Sequence, residues 1–295
     1  MPNVAPAQPR TLAERIRAEL PRLTVAERRV ARTLLADYPL AGLEPVAALA
    51  HRAQTSAPTV LRLVGKLDLD GYPSFQQAIK AELAARLSSP LTLYPHLPPG
   101  PDVLPRMRES LTDSVRRGLE QLDGSDVDIA VGLLAESKRP LWTIGGRFSR
   151  LLAEYLAMHL RLLRPGVAPV PSGPGDRAIT LLDMDRRAVL VAFDYRRYQR
   201  STIEFGVSAA GRGAAVVLFT DHYLSPLAAE ATVVLATTVE APTPFDVLTP
   251  ALAVVEAMVA GVVDRLGSTP RERLAAFDDL DTDVIDGGPP EKGTR

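Results

Sequence analysis

PVAALAHRAQTSAPTVLRLVGKL, residues 45–67, carries two short apolar faces at helical spacing with a break between them. Val46, Leu49, Ala50 and Ala53 share one face of a first helix. Gln54 and Thr55 interrupt it, and Ser56 offers an N-cap whose hydroxyl accepts an orphan backbone N–H. Val60, Leu63, Val64 and Leu67 form the apolar face of a second helix. Two short helices joined by a turn of three or four residues make a helix-turn-helix unit, and the small Ala50 allows a close crossing. The turn position that often carries glycine is Gln54, which must then adopt a positive φ at some cost. The start of the second helix bears Ala57, Pro58, Thr59 and Arg62, with Lys66 a turn later. Side chains so placed enter a major groove. Arg62 suits a bidentate contact with guanine, and Thr59 a thymine methyl or a phosphate. Arg52 and Lys66 are placed for backbone phosphates, which position a protein without specifying sequence. The expected DNA-binding set is Arg52, Ser56, Ala57, Pro58, Thr59, Arg62 and Lys66. A helical hairpin buried in a core has the same spacing, so the motif alone leaves both readings open.

Outward from the hairpin, the pattern stays helical from Leu12 to about Leu87, which marks 11–87 as one domain. Thr24 with Glu27 is a capping box that opens a helix. Residues 1–10, MPNVAPAQPR, read as a disordered arm; they hold no apolar h-region, so a secretory signal is not expected. In SSPLTLYPHLPPGP, residues 88–101, prolines 90, 95, 98, 99 and 101 lack the N–H that a helix interior needs. A linker is expected over 88–102, then a connecting helix over 103–124, amphipathic from about Val103 to Leu122. The whole chain has a formal net charge of -1, yet residues 1–100 hold 12 basic and 8 acidic side chains. The basic excess therefore sits in the helical part.

Residues 23–83 resemble the N-terminal domain of the RpiR family of bacterial transcriptional regulators. The matching text is LTVAERRVARTLLADYP and then VAALAHRAQTSAPTVLRLVGKLDLDGYPSFQQAIKAEL. The opening matches at Leu23, Thr24, Glu27, Arg28, Arg29, Val30 and Ala31. The centre matches at Ser56, Thr59, Val60, Arg62, Lys66, Leu67 and Gly71, and the closing helix at Phe75, Ile79, Lys80 and Leu83. Asp68 stands where that family commonly has glycine. The resemblance implies an all-α helix-turn-helix domain that binds a double-stranded operator.

Beyond residue 124 the pattern changes. LWTI (141–144), VAPV (167–170), AVLVAF (188–193), AAVVLF (214–219) and TVVLAT (232–237) are short β-rich runs spaced by helical text. They predict βα units and a parallel sheet buried on both faces, in a domain spanning 125–275 with a last helix over about 247–266. Residues 276–295 read as a disordered acidic tail. LWTIGGRFSR turns from strand to helix through Gly145 and Gly146, which puts backbone N–H groups where anions bind in such sheets. Arg147 adds charge and Ser149 a donor. GGRFSR departs from G-x-G-x-x-G, so a nicotinamide enzyme has little support.

This order, with the later TDHYLSPLA, resembles the SIS (sugar isomerase) domain over roughly residues 125–267. The resemblance implies a flavodoxin-like α/β fold that binds a phosphosugar. It assigns Gly145, Gly146, Arg147, Phe148 and Ser149 to a first phosphate loop, and Thr220 and Asp221 to a third. The second loop departs from the family's S-x-S-G-x-T. Asp194 and Arg196 replace the two serines, Arg197 the glycine and Gln199 the threonine. Guanidinium forks match phosphate oxygens bidentately, so Arg196 and Arg197 are candidate holders of the anion. Equally, they fit a dimer interface or an ion pair with Asp194. The expected effector set is Gly145, Gly146, Arg147, Ser149, Asp194, Arg196, Arg197, Thr220 and Asp221.

Other chemistry finds little footing. The chain has no cysteine, which excludes a disulfide scaffold, a thiolate metal site and a cysteine nucleophile. His51, His96, His159 and His222 show no metal-ligand spacing, and no cofactor is implied. Charges interrupt every apolar run, so no membrane span is expected. The reading is a cytoplasmic, DNA-binding regulator, a homodimer or homotetramer, whose α/β domain senses a sugar phosphate or related small anion. One alternative is a sugar-phosphate isomerase with an appended regulatory domain, with Glu204 or His222 as acid/base. Another is a regulator whose α/β domain only dimerises.

Overall fold

The computed structural model describes residues 11–87, 89–94 and 102–280. The chain divides into two compact units, residues 1–96 and 97–295. The first is all helical: α1 (Leu12–Glu19), α2 (Val25–Ala36), α3 (Leu40–Leu43), α4 (Val46–Arg52), α5 (Ala57–Lys66), α6 (Gly71–Leu87) and α7 (Pro90–Leu93). The capping box forms as expected, with Glu27 N donating to Thr24 Oγ1 and Thr24 N to the Glu27 carboxylate. Val30, Leu34, Leu49, Val60, Leu63 and Phe75 lie in one core, so the apolar faces of α4 and α5 both point inward.

The turn between α4 and α5 is closed by its backbone. Gln54 N donates to His51 O at 3.0 Å and Thr55 N to Ala50 O at 2.9 Å. This is the Schellman arrangement, with Gln54 in the left-handed position at φ 51°. Asp68 also takes the left-handed position after α5, at φ 54°, and its N–H donates to Gly65 O at 3.1 Å; glycine is common there in the family resembled. Ser56 stands at the N-cap of α5, but its hydroxyl does not accept a backbone N–H; it lies 3.1 Å from Thr59 Oγ1 instead.

The second unit contains α8 (Val103–Glu120), α9 (Gly124–Ala135), β1 (Leu141–Gly145), α10 (Arg150–Leu163), β2 (Val167–Pro169), α11 (Pro174–Leu182), β3 (Val189–Phe193), α12 (Arg200–Gly211), β4 (Ala215–Asp221), β5 (Val233–Thr237), α13 (Thr249–Leu266) and α14 (Arg271–Leu280). All five strands fall on the expected apolar runs. They pair in parallel in the order β2-β1-β3-β4-β5, the flavodoxin-like order. Leu141, Val191 and Phe219 face a core shared with α9, α10 and α13. Ile144, Leu190 and Leu218 face the opposite layer, with α12. Both faces are covered, so the strands are apolar throughout.

Three boundaries differ from the expectation. The connecting helix ends at Glu120, and α9 starts anew behind Asp123, whose carboxylate accepts Ser125 N at 2.8 Å. Gly124 and Gly132 weaken the helical pattern of α9, which hid it. Within the expected linker, Pro90 opens α7 at its first position, where the missing N–H costs nothing. The expected disordered tail begins as helix: α14 runs to Leu280, and Arg273 Nε donates to Arg161 O at 2.7 Å. The arm at 1–10, the linker stretch 95–101 and the tail beyond 280 lie outside the described residues.

Candidate functional sites

The helix-turn-helix presents Ser56, Pro58, Leu61, Arg62, Gly65 and Lys66 at the exposed face of α5, with Ala57 half-buried. Thr59 departs from the expectation. It is 4% exposed and accepts Arg62 Nη2 at 2.9 Å, so it orients the arginine rather than touching a base. Its helical phase, beside Val60 and Leu63, turns it inward. Arg52 does not stand alone either, because Asp37 at 3.1 Å and Glu44 at 2.5 Å hold its guanidinium. Lys66 reaches 2.7 Å from Glu27, which also lies 4.0 Å from Arg62 Nε. Leu61, 45% exposed, and Gly65, with open space where a Cβ would sit, complete the surface. The spacing of α5 already holds both, since residues 58, 61, 62 and 65 share one face.

Glu27 joins α2 to α5. Burial pushes its carboxyl up, but Lys66 and the Thr24 donors outweigh that and hold it at about 2, against an ordinary 4.5. The stabilisation is full above pH 4.5 and is lost as pH falls toward 2. Acid titration of the unfolding transition of residues 11–87 is therefore expected to show a steep loss in that window. Lys66→Met should flatten it; an unchanged slope would mean that the pair contributes nothing.

In the second unit, the loops after β1, β3 and β4 meet at the carboxyl ends of the strands. A Cβ on Gly145 would lie 2.6 Å from Arg150 N, and one on Gly146 2.7 Å from Gln199 Cγ. The glycines thus serve close packing of the first loop against α10 and the second loop. Gly146 N donates to Ser149 Oγ at 2.9 Å, and Ser149 Oγ donates to Phe193 O at 2.7 Å. Ser149 is buried and binds the neighbouring loop, contrary to its expected role as a ligand donor.

The second loop is bound by the protein's own carboxylates. Asp194 is fully buried; its Oδ1 accepts Gln199 N at 3.0 Å and its Oδ2 accepts Ser225 Oγ at 2.5 Å. Thr220 Oγ1 donates to Asp194 O at 2.7 Å. Asp221 accepts Arg196 N at 2.6 Å, Tyr198 Oη at 2.7 Å and Tyr223 N at 2.9 Å. Burial raises the Asp221 carboxyl above its ordinary value, against the pull of these three donors. Asp194, Thr220 and Asp221 therefore brace the loops.

Arg196 differs most from expectation. Its side chain is 5% exposed, with Nη1 3.0 Å from Glu240 and Nη2 2.7 Å from Asp246. Nε donates to Asp246 at 2.9 Å, and the guanidinium lies 5.3 Å from the Tyr223 ring centre. These two carboxylates lie 44 and 50 residues away, which spacing cannot reveal. Arg147 and Arg197 are exposed, one on each of the two loops that meet at Gly146 and Gln199. Glu204 is exposed on α12 and pairs with Arg200 at 2.6 Å.

Two family models match the chain: the helix-turn-helix domain of the rpiR family over residues 10–86 and the SIS domain over residues 133–261. The HTH-type transcriptional regulator HexR of Escherichia coli is 27% identical over 274 residues, covering 89% of this chain and 91% of that protein. HexR of Pseudomonas aeruginosa is 32% identical over 134 residues, 44% of this chain and 46% of that protein. The sugar isomerase domain of an RpiR transcription factor from Sphaerobacter thermophilus superposes with a TM-score of 0.56 at 22% identity, over 61% of this chain and 99% of that one. The Vibrio vulnificus NanR protein complexed with ManNAc-6P superposes with a TM-score of 0.54 at 20% identity, over 91% of this chain and 97% of that one. At these identities the superpositions establish the fold.

Proposed function

Since this chain belongs to the RpiR family of helix-turn-helix transcriptional regulators with a SIS domain, we propose that it binds an operator through α5 and senses a small anion through its α/β unit. Residues 11–87 are the DNA-binding domain and residues 125–275 the effector domain of a cytoplasmic dimer. The observation that carries the first half is the face of α5. Pro58, Leu61 and Arg62 project from a helix whose other face is locked into a core, as groove insertion requires. Arg62 is braced by Thr59 and reads a base edge. Arg62→Ala is expected to cost about 1–3 kcal/mol at one base position of the operator, measured by competition between single-base variants. A loss spread evenly over all sequences would assign Arg62 to a phosphate.

The ligand is a sugar phosphate or related anion, in keeping with the ManNAc-6P bound by the structurally similar NanR. Its charge falls to Arg147 and Arg197, because Arg196 is engaged by Glu240 and Asp246. Binding shifts operator affinity only if the ligand prefers one dimer geometry over another. Arg147→Glu with Arg197→Glu is expected to lower affinity for a phosphosugar at least about tenfold, a change of roughly 1.4 kcal/mol in calorimetry. Unchanged affinity would sink this assignment. The isomerase alternative needs a carboxylate poised at a sugar carbon, whereas Glu204 is solvated and paired with Arg200.

A further inference from the structure

On the face of α5 that projects from the core, three residues carry no polar side-chain group. Pro58, Leu61 and Gly65 follow one another at three- and four-residue spacing, and all three are exposed. Arg62 flanks them, with its side chain 62% exposed. A single exposed leucine on a protein surface is ordinary. The glycine beside it supplies a second, independent sign. A Cβ added at Gly65 would meet nothing within 4 Å, so the fold itself has room for alanine there. No left-handed turn requires the glycine either, because the positive φ that follows α5 belongs to Asp68. Glycine within a helix is less favourable than alanine. The missing Cβ therefore answers to something outside the protein that comes close to the helix backbone.

We infer that this stripe reads the 5-methyl group of a thymine in each operator half-site. Leu61 is the specificity-determining side chain, and Gly65 lets the helix approach the base edges. The inference rests on operator binding through α5. Every base pair offers hydrogen-bonding groups in the major groove, but the groove holds one kind of apolar group, the thymine methyl. An apolar side chain set against a polar base edge leaves that edge without a partner. Set against the methyl, it takes apolar surface out of water on both sides. Thr59, expected from the sequence to meet such a methyl, is buried and holds Arg62 instead. The role passes to Leu61, 45% exposed, one residue before Arg62. The thymine therefore lies beside the base pair that Arg62 reads.

Operators selected from a random duplex pool supply the probe. Each thymine is replaced in turn by 2′-deoxyuridine, which keeps the base pair and removes the methyl. Competition titrations with the full chain, at one fixed salt concentration, follow the affinity. One thymine per half-site is expected to weaken binding about fourfold when so replaced, the worth of one buried methyl. Leu61→Ala should bind the natural operator at least about fourfold more weakly and be indifferent to that deoxyuridine. Gly65→Ala should raise the unfolding transition of the helical unit yet weaken operator binding about tenfold or more. The inference is overturned if no thymine responds to deoxyuridine, if the response persists undiminished in Leu61→Ala, or if Gly65→Ala binds as the native chain does. It is also overturned if Leu61→Ala changes the sedimenting mass while operator affinity holds, which assigns the stripe to a protein contact. An operator still enriched and bound in those cases leaves the DNA-binding role of α5 standing, whereas a pool without enrichment removes both.

Discussion

Replacing Arg196 with methionine lowers the stability of the α/β unit by about 3 kcal/mol at pH 7, near the low end for a broken buried ion pair. The methionine keeps most of the stem's packing and removes the guanidinium. Glu240 and Asp246 then stand together with no cation between them, and Tyr223 loses the charge beside its ring. The deficit depends on pH with a definite sign. Burial pushes the Glu240 carboxyl up, but Arg196, the Thr238 hydroxyl and the backbone donors together outweigh it and hold the carboxyl below its ordinary value. In the native chain this contributes stability above the ordinary carboxylate range and loses it as pH falls through the lowered value. In Arg196→Met the largest of these lowering influences is gone, so the carboxyl titrates higher than in the native chain and protonation offsets part of the loss. The gap between the two proteins therefore narrows between pH 7 and about pH 4. Denaturant melts at both pH values measure it. A gap equal at the two pH values, or smaller than about 1 kcal/mol, contradicts the ion-pair account.

Asp194→Ser costs a similar amount, about 3 kcal/mol, and opens a site. The Asp194 carboxylate fills the position where the SIS-type loop places a serine, and it satisfies both Gln199 N at the start of α12 and Ser225 Oγ. Hydrogen bonds to a charged group contribute about 1.5–3 kcal/mol each. A serine is too short to reach both donors. The released N–H at the helix start becomes an anion site. Inorganic phosphate at ten times its dissociation constant should then restore about 1.4 kcal/mol to the variant. A variant as stable as the native chain would contradict the bracing role of Asp194. A variant that phosphate does not stabilise would contradict the prediction that the released N–H forms an anion site.

The fold was legible where local pattern decides it. Five apolar runs became five parallel strands, and the spacing of residues 45–67 became α4 and α5 with Gln54 at positive φ. The site was legible only in part, because its chemistry rests on contacts distant in sequence. Lys66 meets Glu27 across 39 residues, and Arg196 meets Asp246 across 50. No spacing rule signals either pairing, so Arg52, Lys66 and Arg196 looked available for phosphates. Thr59 was misread for a nearer reason. It sits in the exposed first turn of α5, yet its phase follows Val60 and Leu63 into the core. α14 escaped because its acidic residues resemble a solvated tail, although Pro270 and the apolar Leu274 and Phe277 mark a helix.

Selection of binding sites from a random duplex pool with the full chain, at near-physiological salt, tests operator reading most directly. The account predicts enrichment of an inverted repeat whose half-sites lie one or two helical turns apart, with Arg62→Ala relaxing the preference at one base of each half-site. Binding that is weak, salt-sensitive and without sequence enrichment would contradict it.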